Sequence, residues 1–134
     1  MIIKKIILFL TFSIFAFANF IGISPSQLQK KIEEGVVVID IRTAPEWKEL
    51  GIVPTSKAIV FFDEKGNYDV EKWMNEFSKY VKDKKQPFVL VCRSGNRTGV
   101  VGNFLSKKLQ YENVYHLENG IKSWIKESKE VIKP

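Results

Sequence analysis

The sequence holds one cysteine and one histidine among 134 residues. That scarcity excludes an internal disulfide, a dithiol redox cycle within one chain, and a structural zinc centre, which takes about four such ligands. The lone thiol must work alone, work with an external thiol, or serve as a small buried apolar residue. Also missing is the interleaving of arginine with aromatic residues that stacks nucleobases. The net charge of +6 comes with lysines spread over 65–85, 107–108 and the C-terminal tail. It reads as a solvated basic surface, and no nucleic-acid partner is expected. There are no internal repeats, low-complexity segments or linkers, and the length fits one domain.

The one long apolar run lies at the start. Lys4 and Lys5 precede the nearly all-apolar Ile6 to Phe15, and Ala16-Phe17-Ala18 has the small-x-small spacing accepted by signal peptidase. Residues 1–18 are expected to be a secretory signal peptide and 19–134 the exported, periplasmic domain, with no stable membrane insertion after cleavage. The rival is a retained anchor with the domain outside, since apolar character continues through Phe20-Ile21. Thr11, Ser13 and Asn19 interrupt the run, and its unbroken part falls short of the about 20 residues a span needs.

Beyond residue 18, strand and helix patterns alternate. Ser24 as N-cap and Pro25 at the first helical position start a helix that Gly35 stops. The β-branched run Val36 to Ile39 is a strand ending at Asp40. A loop with Gly51 and Pro54 leads to a second strand, Lys57 to Phe61, then to a turn over Asp63 to Asn67. Val70, Trp73, Met74, Phe77 and Val81 mark an amphipathic helix whose large side chains are core. Val114 to Leu117 is the last strand, and Asn119-Gly120 turns into a final helix carrying Ile121, Trp124 and Ile125. Strands this uniformly apolar, separated by helices, predict an α/β fold of three layers: a central, mostly parallel sheet with helices on both faces. Ligands of such sheets sit beyond the C-terminal ends of the strands, where Asp40 and Cys92 both fall.

The chemistry concentrates in Phe88 to Gly99. Phe88 to Val91 is a short buried strand, and Val100, Val101, Phe104, Leu105 and Leu109 repeat at helical spacing after it. Cys92 therefore closes a strand, and the loop behind it runs into a helix N-terminus, where unpaired N–H groups and the helix dipole favour negative charge. A thiol in such a place ionises more readily than a free one. Arg93 and Arg97 bring two cations, Gly95 supplies freedom for positive φ, and Ser94 offers a hydroxyl to the thiolate. The loop N–H groups from Arg93 to Thr98 form a bowl for a small anion. His116 lies in a strand far along the chain and reads as a half-buried residue rather than a base.

Cys92-Arg93-Ser94-Gly95-Asn96-Arg97 resembles the active-site loop of the rhodanese family, single-domain sulfurtransferases. Val38-Ile39-Asp40-Ile41-Arg42, Glu46-Trp47, Gly51-Ile52-Val53-Pro54 and Leu117-Glu118-Asn119-Gly120-Ile121 resemble further stretches of that family, so the likeness spans nearly all of 19–134. It departs at Ile52, where the family has histidine, and at Thr55-Ser56, where it has Gly-Ala. The resemblance implies a rhodanese-like fold and a persulfide on Cys92. The substrate-binding loop would be Arg93, Ser94, Gly95, Asn96, Arg97 and Thr98, with Asp40 and Arg42 holding the rim together. It implies a small anionic donor such as thiosulfate, a thiol or cyanide acceptor, and no cofactor or metal. A redox partner protein is a further expectation, because an exported lone thiol meets an oxidising compartment. Cysteine-dependent phosphatases resemble the same stretch but use a longer loop. Four residues between Cys92 and Arg97 make a bowl better sized for one sulfur than for a phosphoryl group. The alternative to an enzyme is a non-catalytic sulfur-carrier or protein-interaction module in the cell envelope.

Overall fold

The computed structural model describes residues 19–134; the segment assigned above to a signal peptide lies outside them. Five strands, β1 (Asn19–Ile23), β2 (Val37–Asp40), β3 (Lys57–Ala58), β4 (Phe88–Val91) and β5 (Asn113–Leu117), form one sheet in the order β1-β5-β4-β2-β3. All four pairings are parallel. Four helices connect them, α1 (Pro25–Glu33), α2 (Ala44–Leu50), α3 (Val70–Phe77) and α4 (Asn96–Asn103), and α5 (Gly120–Lys126) follows β5. The expected three-layer α/β architecture is the one observed.

Two apolar cores lie on opposite sides of the sheet. One joins Trp73 and Phe77 of α3 and Val101 of α4 to Ile39, Phe88, Leu90 and Val114. The other joins Leu28 of α1 and Ile121 and Trp124 of α5 to Val38, Val89, Val91 and Leu117. The period of two along each strand makes this division, since successive side chains point to opposite faces. β4 is covered on both sides, and all four of its residues are buried.

Helix α1 starts as its sequence predicts. Ser24 Oγ accepts from the Gln27 N–H at 3.2 Å while Gln27 Oε1 accepts from the Ser24 N–H at 2.8 Å, which satisfies two N–H groups the first turn leaves free. Helix α3 ends at Phe77, earlier than expected, although Val81 still reaches the core at 2% exposure. After α4 the chain widens into a π-helical turn, Phe104–Lys108. On α5, Ile121 and Trp124 are buried and Ile125 is 38% exposed.

Three further expectations are corrected. Phe20 and Ile21, which the rival anchor reading counts as a continuation of the apolar run, belong to β1, whose register runs Asn19 to Asn113 through Ile23 to Leu117. The segment from Arg42 to Gly51, read as loop, holds α2. Its start signals are Thr43 in extended conformation, Pro45 in the first turn and Glu46, whose Oε1 accepts from the Thr43 hydroxyl at 3.1 Å. The strand expected over Lys57 to Phe61 is two residues long. Ile59 and Phe61 still donate to the carbonyls of Asp40 and Ile41, so the chain runs on beside β2 after regular pairing stops. A short edge strand offers little to an intruding strand.

Thr55, which stands where the family likeness has glycine, takes φ +72°, a conformation costly for a β-branched residue. The C-terminal tail returns to this connection through two hydrogen bonds between Ile52 and Ile132.

Candidate active site

Cys92 follows β4 directly, at the sheet rim. Its Sγ is held under the loop rather than displayed: the residue is 1% exposed, and the Gly95 N–H donates to Sγ at 3.2 Å. Gly95 makes this possible by taking φ +97° as N-cap of α4. A Cβ at Gly95 would lie 3.3 Å from the Asn119 backbone nitrogen, so the left-handed turn and the close packing both favour glycine. The expectation of a bowl lined by N–H groups is met at the sulfur by the Gly95 N–H. Those of Asn96, Arg97 and Thr98 sit in the first turn of α4 and have no partner within the helix.

The other wall of the loop is the N-terminus of α5. Ile121 donates its N–H to the Cys92 carbonyl at 2.8 Å and Lys122 to that of Arg93 at 3.3 Å. Gly120 permits the approach, since a Cβ there would run into the backbone of Cys92 and Arg93. The late Leu117–Ile121 stretch therefore supports the Cys92 loop from beneath, with Asn119 at φ +61°.

Among the hydroxyls, Ser94 is exposed and Thr98 is not. The hydroxyl beside the thiol is that of Thr98, whose Oγ1 lies 3.4 Å from Sγ, and the expected Ser94 contact is not made. Thr98 Oγ1 also lies 3.1 Å from the Gly95 carbonyl and 2.7 Å from His116 Nδ1. His116 was not expected here. Leu90 and His116 are register partners on β4 and β5, and Cys92 lies two residues beyond Leu90, so all three share the face that α4 covers.

The two arginines divide. Arg93 points outward, with its side chain 38% exposed and a loose 3.5 Å pairing to Glu49. Arg97 closes the loop. Its two terminal nitrogens each donate to one oxygen of Glu46, both at 2.7 Å. This fork-to-fork pair holds the Glu46 carboxyl at a pKa of about 2 against burial that acts the other way. It raises the Arg97 pKa, with smaller help from the charges of Cys92 and Asp40. Glu46 is a residue that sequence reasoning left without a role, and its carboxylate ties α2 to the start of α4.

Asp40 and Arg42 are fully buried, paired at 2.7 Å. Asp40 also accepts from the Trp47 Nε1–H at 3.0 Å, and Arg42 donates to the Gly51 carbonyl at 2.7 Å and to the Glu46 carbonyl at 3.3 Å. Asp40 pairs in register with Val91, one residue out of phase with Cys92, so it belongs to the opposite face. The pair organises the connection from β2 through α2. A groove of about 550 Å³ runs beside β3 between Trp47, Phe61, Tyr68, Trp73 and Tyr80, and its lining does not include Cys92.

A family model described as the rhodanese-like domain matches residues 24–127. A rhodanese domain-containing protein of Drosophila melanogaster is 29% identical over 91 residues, covering 66% of this chain and 81% of that one. The polysulfide-sulfur transferase homodimer of Wolinella succinogenes superposes with a TM-score of 0.65 at 23% identity, over 87% of this chain and 81% of that one. A Rhodopseudomonas palustris protein of unknown function, described as a possible tyrosine phosphatase, superposes with a TM-score of 0.60 at 19% identity, over 84% and 85%. At such identities the two structures share the fold, and chemistry must be argued from the loop itself.

Proposed function

We propose that this chain, which belongs to the rhodanese-like domain family, is a sulfurtransferase working through a persulfide on Cys92. The Cys92 thiolate attacks the outer sulfur of a small anionic donor such as thiosulfate. A bond forms between Sγ and that sulfur, the bond from it to the rest of the donor breaks, and the electron pair leaves with the donor remnant, sulfite for thiosulfate. An acceptor thiolate or cyanide then takes the outer sulfur, and Sγ leaves as thiolate. Such a covalent cycle predicts ping-pong kinetics and calls on no cofactor.

The observation carrying the proposal is the Gly95 N–H aimed at Sγ at 3.2 Å from the N-cap of a helix. Preorganised N–H dipoles stabilise an anion on sulfur as they do on oxygen. Arg93, half-exposed and held only by a loose pairing to Glu49, is the cation that meets the donor. The loop keeps four residues between Cys92 and Arg97, which favours sulfur over phosphoryl transfer. Export, on the strength of the leader pattern in residues 1–18, belongs to the same proposal. Among the described residues no helix is long and apolar enough to cross a membrane.

The test is to treat the protein with thiosulfate, measure its mass, and follow sulfur delivery to cyanide or a dithiol. One sulfur added to Cys92 and removed by the acceptor is expected; an unchanged mass without turnover would sink the proposal. One observation favours the second reading, a non-catalytic interaction module: Cys92 is only 1% exposed. In cells a Cys92→Ala variant keeps the function of a module and loses that of an enzyme.

A further inference from the structure

We infer that His116 is a positioning residue for Cys92, drawing the thiol proton away through the Thr98 hydroxyl. The inference rests on Cys92 being the nucleophile. The three groups form a chain, Cys92 Sγ to Thr98 Oγ1 at 3.4 Å and Thr98 Oγ1 to His116 Nδ1 at 2.7 Å. Thr98 is fully buried.

Each partner has its geometry set from outside the chain of contacts. The ring of Phe20, on β1, packs on the imidazole with centroids 4.7 Å apart. Phe20 fits there because residue 102 of α4 is glycine; a Cβ at that position would collide with its ring. The far side of the imidazole faces β1 at Gly22, where a Cβ would stand 3.4 Å from both His116 Nε2 and the Glu118 carboxyl carbon. Of the groups around the ring, Phe20, Gly22 and Thr98 are neutral. Glu118 is the charged one, and Cys92 the titratable one beyond Thr98. Burial lowers the His116 pKa and Glu118 partly opposes that, so near neutral pH the ring is unprotonated and able to accept.

Thr98 has one hydroxyl hydrogen and three acceptors around it: the Gly95 carbonyl at 3.1 Å, Sγ at 3.4 Å and Nδ1 at 2.7 Å. Donating to Nδ1, the nearest, it turns lone pairs toward the thiol. The S–H bond then breaks as an O–H bond forms on Thr98, and the original hydroxyl hydrogen passes to Nδ1. One proton has moved from Cys92 to His116 with no electron transferred, leaving a thiolate and an imidazolium. The thiolate is left with two donors, the Gly95 N–H and the Thr98 hydroxyl. A purely structural role for Thr98, donating to the carbonyl three residues back as in many helix starts, would leave the imidazole out of the chemistry.

The experiment measures the rate of Cys92 alkylation by iodoacetamide from pH 5 to 10 in the full chain, with no donor or acceptor present. It reads the relay independently of whether sulfur is transferred. The wild-type rate is expected to rise in a low-pH limb. Because His116 is the only histidine, its imidazole proton resonances titrate unambiguously, and their midpoint should coincide with that of the limb; the two belong to one coupled titration. Thr98→Val and His116→Gln should each remove the limb and slow alkylation at pH 7 by roughly 10²-fold, the lower end for proton-transfer assistance. The double variant should lose no more than either single one, and Thr98→Ser should keep the limb. A His116→Gln profile that overlays the wild type overturns the inference. So does a wild-type limb whose midpoint differs from the imidazole titration, a result that needs no variant to fold.

Discussion

Arg97 and Glu46 grip each other through two parallel hydrogen bonds of 2.7 Å although 51 positions separate them. The pair joins α2, which follows β2, to α4, which follows β4, and so fixes the outer wall of the Cys92 loop. Arg97 is thereby engaged with a carboxylate of its own chain, and Arg93 is left as the outward cation. Glu46 also accepts from the Thr43 hydroxyl at 3.1 Å, so one carboxylate starts a helix and clamps a loop.

The first prediction concerns acid. The folded pKa of Glu46, about 2, lies below its ordinary value of 4.5. A carboxyl depressed in this way stabilises the fold fully above its unfolded pKa, and the contribution is lost as pH falls through the folded one. Glu46→Gln should therefore cost roughly 1 kcal/mol near neutral pH, discounted for partial exposure. The gap from wild type should close between about pH 4.5 and 2. Urea unfolding of both proteins across that range is the check; a gap independent of pH would show that the carboxylate charge is not what matters.

Asp40 and Arg42 support the rim, and neither should be needed to meet substrate. Arg42→Met leaves Asp40 charged and buried without its partner, a loss of roughly 3–5 kcal/mol. Stability measured by denaturant should fall accordingly, while sulfur transfer per folded molecule stays within a few-fold of wild type. A variant that folds normally yet fails to turn over would place the pair in substrate contact instead.

Gly95→Ala should damage stability and reactivity together. An alanine at φ +97° costs about 1–2 kcal/mol, and its methyl group crowds the Asn119 nitrogen. Relaxation of that strain moves the one N–H seen to donate to Sγ. Thermal unfolding and persulfide formation followed by mass should decline in parallel; normal persulfide yield would remove this N–H from the mechanism.

Arg93→Gln tests the outward cation. The Arg93 ion pair at 3.5 Å is exposed and adds little to stability, so the melting temperature should hold. KM for thiosulfate should rise several-fold with kcat nearly unchanged, the pattern of lost uniform binding. Added salt should shrink the difference as it screens the charge. A fall in kcat at constant KM would assign Arg93 to the transition state.

Much of this is legible in the sequence. The capping pattern of Ser24-Pro25-Ser26-Gln27, the apolar run Phe88 to Val91 and the helical spacing of Val70, Trp73 and Phe77 all act between near neighbours. Helix α2 was equally local, since Thr43, Pro45 and Glu46 carry its start, but Gly51 and Pro54 drew the whole stretch toward a loop assignment. β1 escaped because Phe20 and Ile21 continue an apolar leader, and nothing within five residues says that they pair with Val114 and Tyr115.

What the sequence determined by itself is everything that depends on spacings of two to four residues. It set the alternation of strands and helices, the placing of Cys92 at a strand end before a helix start, and the glycine that lets the loop turn back on the sulfur. The tertiary structure alone decided that Glu46 is what holds Arg97, which hydroxyl stands beside the thiol, and that a histidine twenty-four positions away completes the chain of contacts. The histidine's place follows from the pairing of β4 with β5 and from the phase of their side chains, and the Glu46 clamp from the pairing of β2 with β4, which brings α2 beside the start of α4. Register is a relation between distant segments, and a single residue of slip would have turned His116 to the opposite face.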